Sequence, residues 1–236
     1  MLPLLEVEGA LQMALDAWLL EQCIQSTQQS PVLRFYTWPG AWLSLGHHQH
    51  QQPEHWGALE RSGALQRVRR PSGGGAVLHA SGLTYALIWP NAPRSRREAY
   101  QITSQWLING FDKIGVSLQA GLNPARANQT HCFASATPAD LVDDQGEKRI
   151  GSAQFWCHGH LLQHGEILIT PPADLWHALF EAEPPPPLHA LTSSSICSAL
   201  TTSLREFWPE CTWQDESLTS EQWRDVKSLS ERYRLS

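Results

Sequence analysis

The sequence predicts an α+β fold, and three observations carry that prediction. Short runs rich in β-branched and aromatic residues alternate with tight-turn signals over 31–90, and again over 140–169. Helical periodicity occupies the start of the chain, the stretch 97–115 and most of the last third. No repeat and no shift in composition divides the 236 residues, so the chain reads as one domain over 1–236, with 174–236 as closing helices.

The elements follow in order. Residues 9–22 place Leu11, Ala14, Leu15, Trp18 and Leu19 on one helical face. Residues 31–37 read as a strand, Pro39 and Gly40 as a turn, and 41–46 as a second strand. The polar, histidine-rich stretch 47–56 is a loop entering a short helix at 53–63. LQRVRR (65–70) is a strand, PSGGG (71–75) a break, and AVLH and LTYALIWP are strands, the last ending at Pro90. Residues 97–115 are helical, with Gly115 as the terminator. The stretch 123–140 has no period and is a long loop, a common location for function. Residues 140–169 are successive strands turning at DDQG and HGH. A helix at 174–182 is stopped by Pro184–Pro187, a rigid connector, and two helices close the chain.

Composition bounds the function. Hydrophobic residues make up 42% and charged residues 17%, which excludes a disordered chain. The net charge of −6 argues against a nucleic-acid partner, whose phosphates select basic proteins. The N-terminus lacks a basic region and carries Glu6, Glu8 and Asp16, so no signal peptide is expected. No apolar run reaches the roughly 18 residues of a membrane span. Five widely spaced cysteines do not make a disulfide framework. The expected setting is cytoplasmic, with free thiols and no membrane partner.

Three segments carry chemistry. Arg69-Arg70-Pro71-Ser72-Gly73-Gly74-Gly75-Ala76 joins fixed positive charge to a backbone that permits close approach of a ligand. It is neither a Walker loop nor a dinucleotide fingerprint. Lys148 through Gln154 again sets small residues after a strand, and Lys148 is one of only three lysines. Near a thiol or thioester it would steady negative charge; read alone, it is a solvated strand end. Cys132 lies in the aperiodic loop, where a thiol is a better nucleophile candidate than Cys23 or Cys197, which fall on helical faces. Cys157-His158-Gly159-His160 has metal-ligand chemistry, but alternate strand positions face opposite ways, so a turn with exposed histidines is expected and no metal.

Taken together, MALDAWLL (13–20), LRFYTWPGAWLSLGHHQ (33–49), VRRPSGGGAVLHASGLTYAL (68–87), CFASATPADL (132–141), GEKRIGSAQ (146–154) and LLQHGEILI (161–169) resemble the lipoate/octanoate protein-modifying family. The family's catalytic domain is shared with biotin protein ligases. The resemblance implies that class II synthetase-like domain, with mixed, mostly antiparallel sheets flanked by helices. CF followed by an acidic position, then the GEKRIGSAQ pattern, is most similar to the octanoyltransferase branch that looks like ligases. That branch implies transfer of octanoate from acyl carrier protein, through a cysteine thioester, to a lysine of a lipoyl domain or of the glycine cleavage H protein.

By the same resemblance, Cys132 is the acyl-accepting cysteine and Lys148 its partner. Arg69, Arg70, Ser72, Gly73, Gly74, Gly75, Ala76, His79, Gly151, Ser152, Ala153, Gln154, His164 and Gly165 form the substrate site. Backbone N–H groups of 73–76 or 151–153 would add donors, and Trp38, Leu78, Leu83 and Tyr85 are either walls of the acyl slot or ordinary core. No cofactor is implied; ATP belongs to the alternative, a lipoate-protein ligase. A catalytically silent member that binds carrier domains or the acyl ligand is a third reading. It is motivated by Gly82, where the family has an acidic residue, and by Phe155-Trp156, where it has a basic one; Ala139, where the family has an aromatic, is a further departure.

Overall fold

The computed structural model describes residues 1–27, 30–122, 131–134 and 136–235. Its strands are β1 (Leu5–Glu6), β2 (Val32–Thr37), β3 (Trp42–Leu45), β4 (Gln66–Arg69), β5 (Val77–His79), β6 (Leu83–Trp89), β7 (Gln119–Ala120), β8 (Leu141–Val142), β9 (Lys148–Cys157) and β10 (His160–Ile167). Its helices are α1 (Gly9–Gln25), α2 (Glu54–Arg61), α3 (Arg96–Asp112), α4 (Ala173–Phe180), α5 (Ser193–Phe207) and α6 (Ser220–Ser230). Each expected element is present within a few residues. The two-residue strands β1 and β7 were not foreseen, being too short to show a period. The loop expected over 123–140 lies partly outside the described residues, at 123–130 and 135. Its described part holds a 3-10 turn at Cys132–Ala134 and strand β8 just beyond Asp140.

Among the described residues the strands form two sheets. One has the order β1-β2-β6-β10-β9-β8-β7, antiparallel except for the parallel β1–β2 edge. The other is β4-β3-β5, in which β3 pairs parallel to β4 and antiparallel to β5.

Strand alternation divides the core. Tyr36, Ala86, Ile88 and Leu162 face α1, which α6 backs through Val226. Leu33, Phe35, Leu83, Tyr85, Leu87 and Ile167 face the opposite way, onto Trp106 and Phe111 of α3 and Leu200 of α5. Leu43, Leu45 and Leu78 of the small sheet pack with Trp56 of α2 and Trp176 of α4. Residues 157–160 make a tight hairpin, with His158 at φ 50° and Gly159 at φ 83°. Gly115 ends α3 in the left-handed region, at φ 76°. No helix among the described residues is long and apolar enough to cross a membrane.

Candidate active site

The α1 face of the large sheet, the small sheet and α1 itself enclose a cleft of about 370 Å³, its open mouth included. Met13, Tyr36, Val77, Thr84 and Glu166 line it. So do Ser44, Arg70, His79, Cys132, Gly151, Ser152, Ala153, His164 and Gly165. Eight of the residues expected from the sequence therefore meet at one place.

The thiol of Cys132 donates to the Gly75 carbonyl at 3.1 Å, and its own N–H donates to the Ala76 carbonyl at 2.9 Å. A parallel bridge between Ala76 and His131 ties the cysteine turn to the glycine segment. Those glycines thus meet the thiol through a carbonyl rather than through the N–H donors expected. Gly74 has φ +98°, and a Cβ there would lie 3.2 Å from Cys132 Sγ and 2.9 Å from an Arg70 nitrogen. Only glycine keeps that approach open.

Lys148 is buried, not a solvated strand end. Its Nζ donates to the Cys132 carbonyl, pairs with Asp140 at 3.0 Å and lies 4.8 Å from the Phe133 ring centre. It therefore reaches Cys132 through the backbone. Asp140 is itself held by the N–H and hydroxyl of Thr137, each at 2.8 Å.

Polar groups in and behind the cleft form a buried network. His164 Nε2 meets Ser72 Oγ at 2.5 Å, and its Nδ1 meets Asp16 at 2.8 Å. Asp16 also pairs with Arg34 at 2.8 Å and accepts from Tyr36 at 3.0 Å. Burial alone would raise the Asp16 carboxyl; Arg34, helped by His164, overrules it and holds the group below the usual carboxylate range. On the other side His79 Nδ1 meets Glu166 at 2.7 Å, and its Nε2 meets Ser44 Oγ at 2.7 Å. Burial lowers the His79 imidazole below its ordinary value despite the opposing pull of Glu166. The ring stacks on Trp38, with centroids 4.1 Å apart.

Several expectations need correction. Arg69 does not line the cleft: it donates to the carbonyls of Gly46 and Gln49 and fastens the 46–49 turn. Ser72, Gly73, Gly74, Gly75 and Ala76 are not among the residues that line the cleft, although Gly74 is exposed beside Cys132 Sγ, and Gln154 bonds Gln163 on the far face of the sheet. The proposed acyl walls also fail. Leu83 and Tyr85 point to α3 and Leu78 to α2, because on β5 and β6 it is Val77, His79 and Thr84 that alternate inward. Trp38 backs His79 without lining the cleft.

The departure at Gly82 has a structural partner. A Cβ at this position would lie 2.1 Å from Glu166 Oε1, so the Glu166 carboxylate already occupies that space. Trp156 packs with Trp89, Ala92, Ala99 and Leu161, while Phe155 is exposed. Among the described residues no group of three or more His, Cys, Asp and Glu is arranged to hold a metal.

Sequence reasoning did not single out Gln12, Asp16, Arg34, Ser44 or Glu166. The available signal was polar residues inside apolar elements: Gln12 and Asp16 one turn apart on α1, and Arg34 amid PVLRFYT.

This chain belongs to the lipoyl protein ligase A/B catalytic domain family, whose profile matches residues 8–220. It is 38% identical over 182 residues to octanoyltransferase LipM of Brevibacillus brevis, covering 72% of this chain and 65% of that protein. To octanoyltransferase LipM of Lysinibacillus sphaericus it is 36% identical over 169 residues, covering 66% and 60%. The match thus spans less than two thirds of the length of either relative. The solved bipartite lipoate protein ligase of Thermoplasma acidophilum, studied with its E2 lipoyl domain, aligns with a TM-score of 0.76. That alignment covers 98% of this chain and 91% of the other at 19% identity, which establishes the shared fold.

Proposed function

We propose that this protein is an octanoyltransferase of protein lipoylation, moving the acyl group through a thioester on Cys132. The donor is octanoyl-acyl carrier protein, and the acceptor is a lysine of a lipoyl domain or of the glycine cleavage H protein. No cofactor takes part. The observation that carries the reading is the position of Cys132, whose thiol borders a mostly carbon-lined cleft between Arg70 and the Lys148–Asp140 pair.

In the first step the Cys132 thiol gives its proton to solvent, its Sγ bonds to the acyl carbonyl carbon, the donor C–S bond breaks, and the departing carrier thiolate takes a proton from solvent. In the second, the acceptor amine bonds to that carbon, the Cys132 S–C bond breaks, and the amine proton returns to the sulfur. Lys148 clamps the Cys132 backbone so that the sulfur stays at the cleft. The covalent intermediate divides one difficult transfer into two easier ones.

The test supplies octanoyl-acyl carrier protein and an apo lipoyl domain, with and without ATP. Transfer without ATP and an octanoyl adduct on Cys132 by mass spectrometry are expected. Cys132→Ala is expected to lose transfer. Full-rate transfer by that variant, or a strict need for ATP with free octanoate or lipoate, refutes the proposal and favours a ligase.

A further inference from the structure

We propose that Arg70 is the cation facing the reacting sulfur of Cys132, held in place by two buried carboxylate–imidazole–hydroxyl chains. The inference rests on Cys132 being the acyl-accepting thiol. It departs from the expectation that Lys148 supplies the charge.

The two chains converge on one guanidinium. In the first, Glu166 meets His79 Nδ1 at 2.7 Å, His79 Nε2 meets Ser44 Oγ at 2.7 Å, and Arg70 Nη1 donates to that Oγ at 3.4 Å and to the Ser44 carbonyl at 3.0 Å. In the second, Asp16 meets His164 Nδ1 at 2.8 Å, His164 Nε2 meets Ser72 Oγ at 2.5 Å, and Arg70 Nε donates to that Oγ at 3.2 Å. Two of the three nitrogens are thereby occupied. The third, Nη2, donates to the Gly73 and Gly75 carbonyls at 2.7 Å each and lies 3.7 Å from Cys132 Sγ. The guanidinium plane has no freedom left to turn away.

The charge balance points the same way. Arg70 is 4% exposed, and among the described residues no carboxylate pairs with it. Its contacts are carbonyls, hydroxyls and the sulfur. A buried cation without a counter-ion is costly, and an anion at the sulfur offsets that cost. Arginine suits the role because it does not give up its proton. Lys148 is differently placed: its charge is matched by Asp140, and its Nζ donates to the Cys132 carbonyl. His131 precedes the cysteine. His79, His164 and Glu166 share the cleft. In the step itself the thiol proton passes to solvent, leaving a sulfur anion beside Nη2, which then bonds to the acyl carbon.

The experiment measures alkylation of Cys132 by iodoacetamide in the intact protein, followed by peptide mass spectrometry at pH 7 and pH 10. Cys23, Cys157, Cys197 and Cys211 serve as internal references. Arg70→Met is expected to slow Cys132 alkylation about tenfold at pH 7 and to leave it nearly unchanged at pH 10, where ordinary free thiols are already ionised. Arg70→Lys is expected to recover part of the loss. An unchanged pH 7 rate in Arg70→Met overturns the assignment. Should Arg70→Met fail to fold, the Ser44→Ala, Ser72→Ala double variant decides: a slower pH 7 rate supports the bracing, and an unchanged rate overturns it. Alkylation needs neither donor nor acceptor. An Arg70-dependent rate without any octanoyl adduct would therefore sustain the pairing and refute the transferase reading.

Discussion

Asp16 and Arg34 meet at 2.8 Å with both side chains fully buried, and Gln12 and Tyr36 complete their hydrogen bonds. Removing one partner strands the other charge. Arg34→Met is therefore expected to destabilise the fold by about 3–5 kcal/mol in urea titrations, and a loss under about 1 kcal/mol would show the pair to be dispensable. Gly82 and Glu166 form a second residue-level pair. Gly82→Ala puts a Cβ 2.1 Å from the carboxylate oxygen and 2.9 Å from the Ile167 carbonyl. It should cost about 1–3 kcal/mol alone, and distinctly less in a Glu166→Ser background. Strict additivity in that cycle would contradict the shared space. Neither pair was legible beforehand. The period of α1 identifies its apolar face, but only the docked sheet shows that Gln12 and Asp16 are buried with it.

At the scale of elements, the sequence located strands and helices well but not which strand face meets the cleft. Period-two alternation makes that choice binary for each strand, and the order β6-β10-β9 settles it: Thr84, His164 and Glu166 point inward, while Tyr85 and Gln163 point to α3. The α3–α5 contact is equally specific. A Cβ on Gly110 would stand 2.5 Å from Leu200 Cδ2 and 3.3 Å from its Cα, so α5 rests directly on α3 at this point. Gly110→Val is expected to lose about 1–3 kcal/mol by overpacking, measured by denaturant unfolding. An unchanged midpoint would mean the helices separate freely.

The whole molecule should be acid-sensitive in a definite direction. Burial, then the Lys148 charge, brings the His131 imidazole from its ordinary 6.5 down to about 4. Between those values the unfolded chain binds a proton that the folded chain does not, so stability falls as pH drops from about 6.5 towards 4 and is retained above 6.5. His131 stacks on Phe180 with ring centres 4.1 Å apart, a contact that phenylalanine preserves. His131→Phe is expected to flatten the fall of the urea midpoint between pH 7 and pH 4.5. An equally steep fall would place the acid sensitivity elsewhere, His79 being the other histidine shifted the same way.

The chain by itself determined the α+β class, the order of elements and the family resemblance, which named Arg70, His79, Cys132 and His164 as site residues. Periodicity, turn chemistry and local motifs are all written along one dimension. What the tertiary structure alone decided is which atom meets which: Arg70 rather than Arg69 at the cleft, Lys148 on the Cys132 carbonyl and on Asp140, and Glu166 in the space beside Gly82. Those outcomes depend on strand register and on contacts between residues up to 148 positions apart, as in the Asp16–His164 bond. No local pattern encodes distances of that kind.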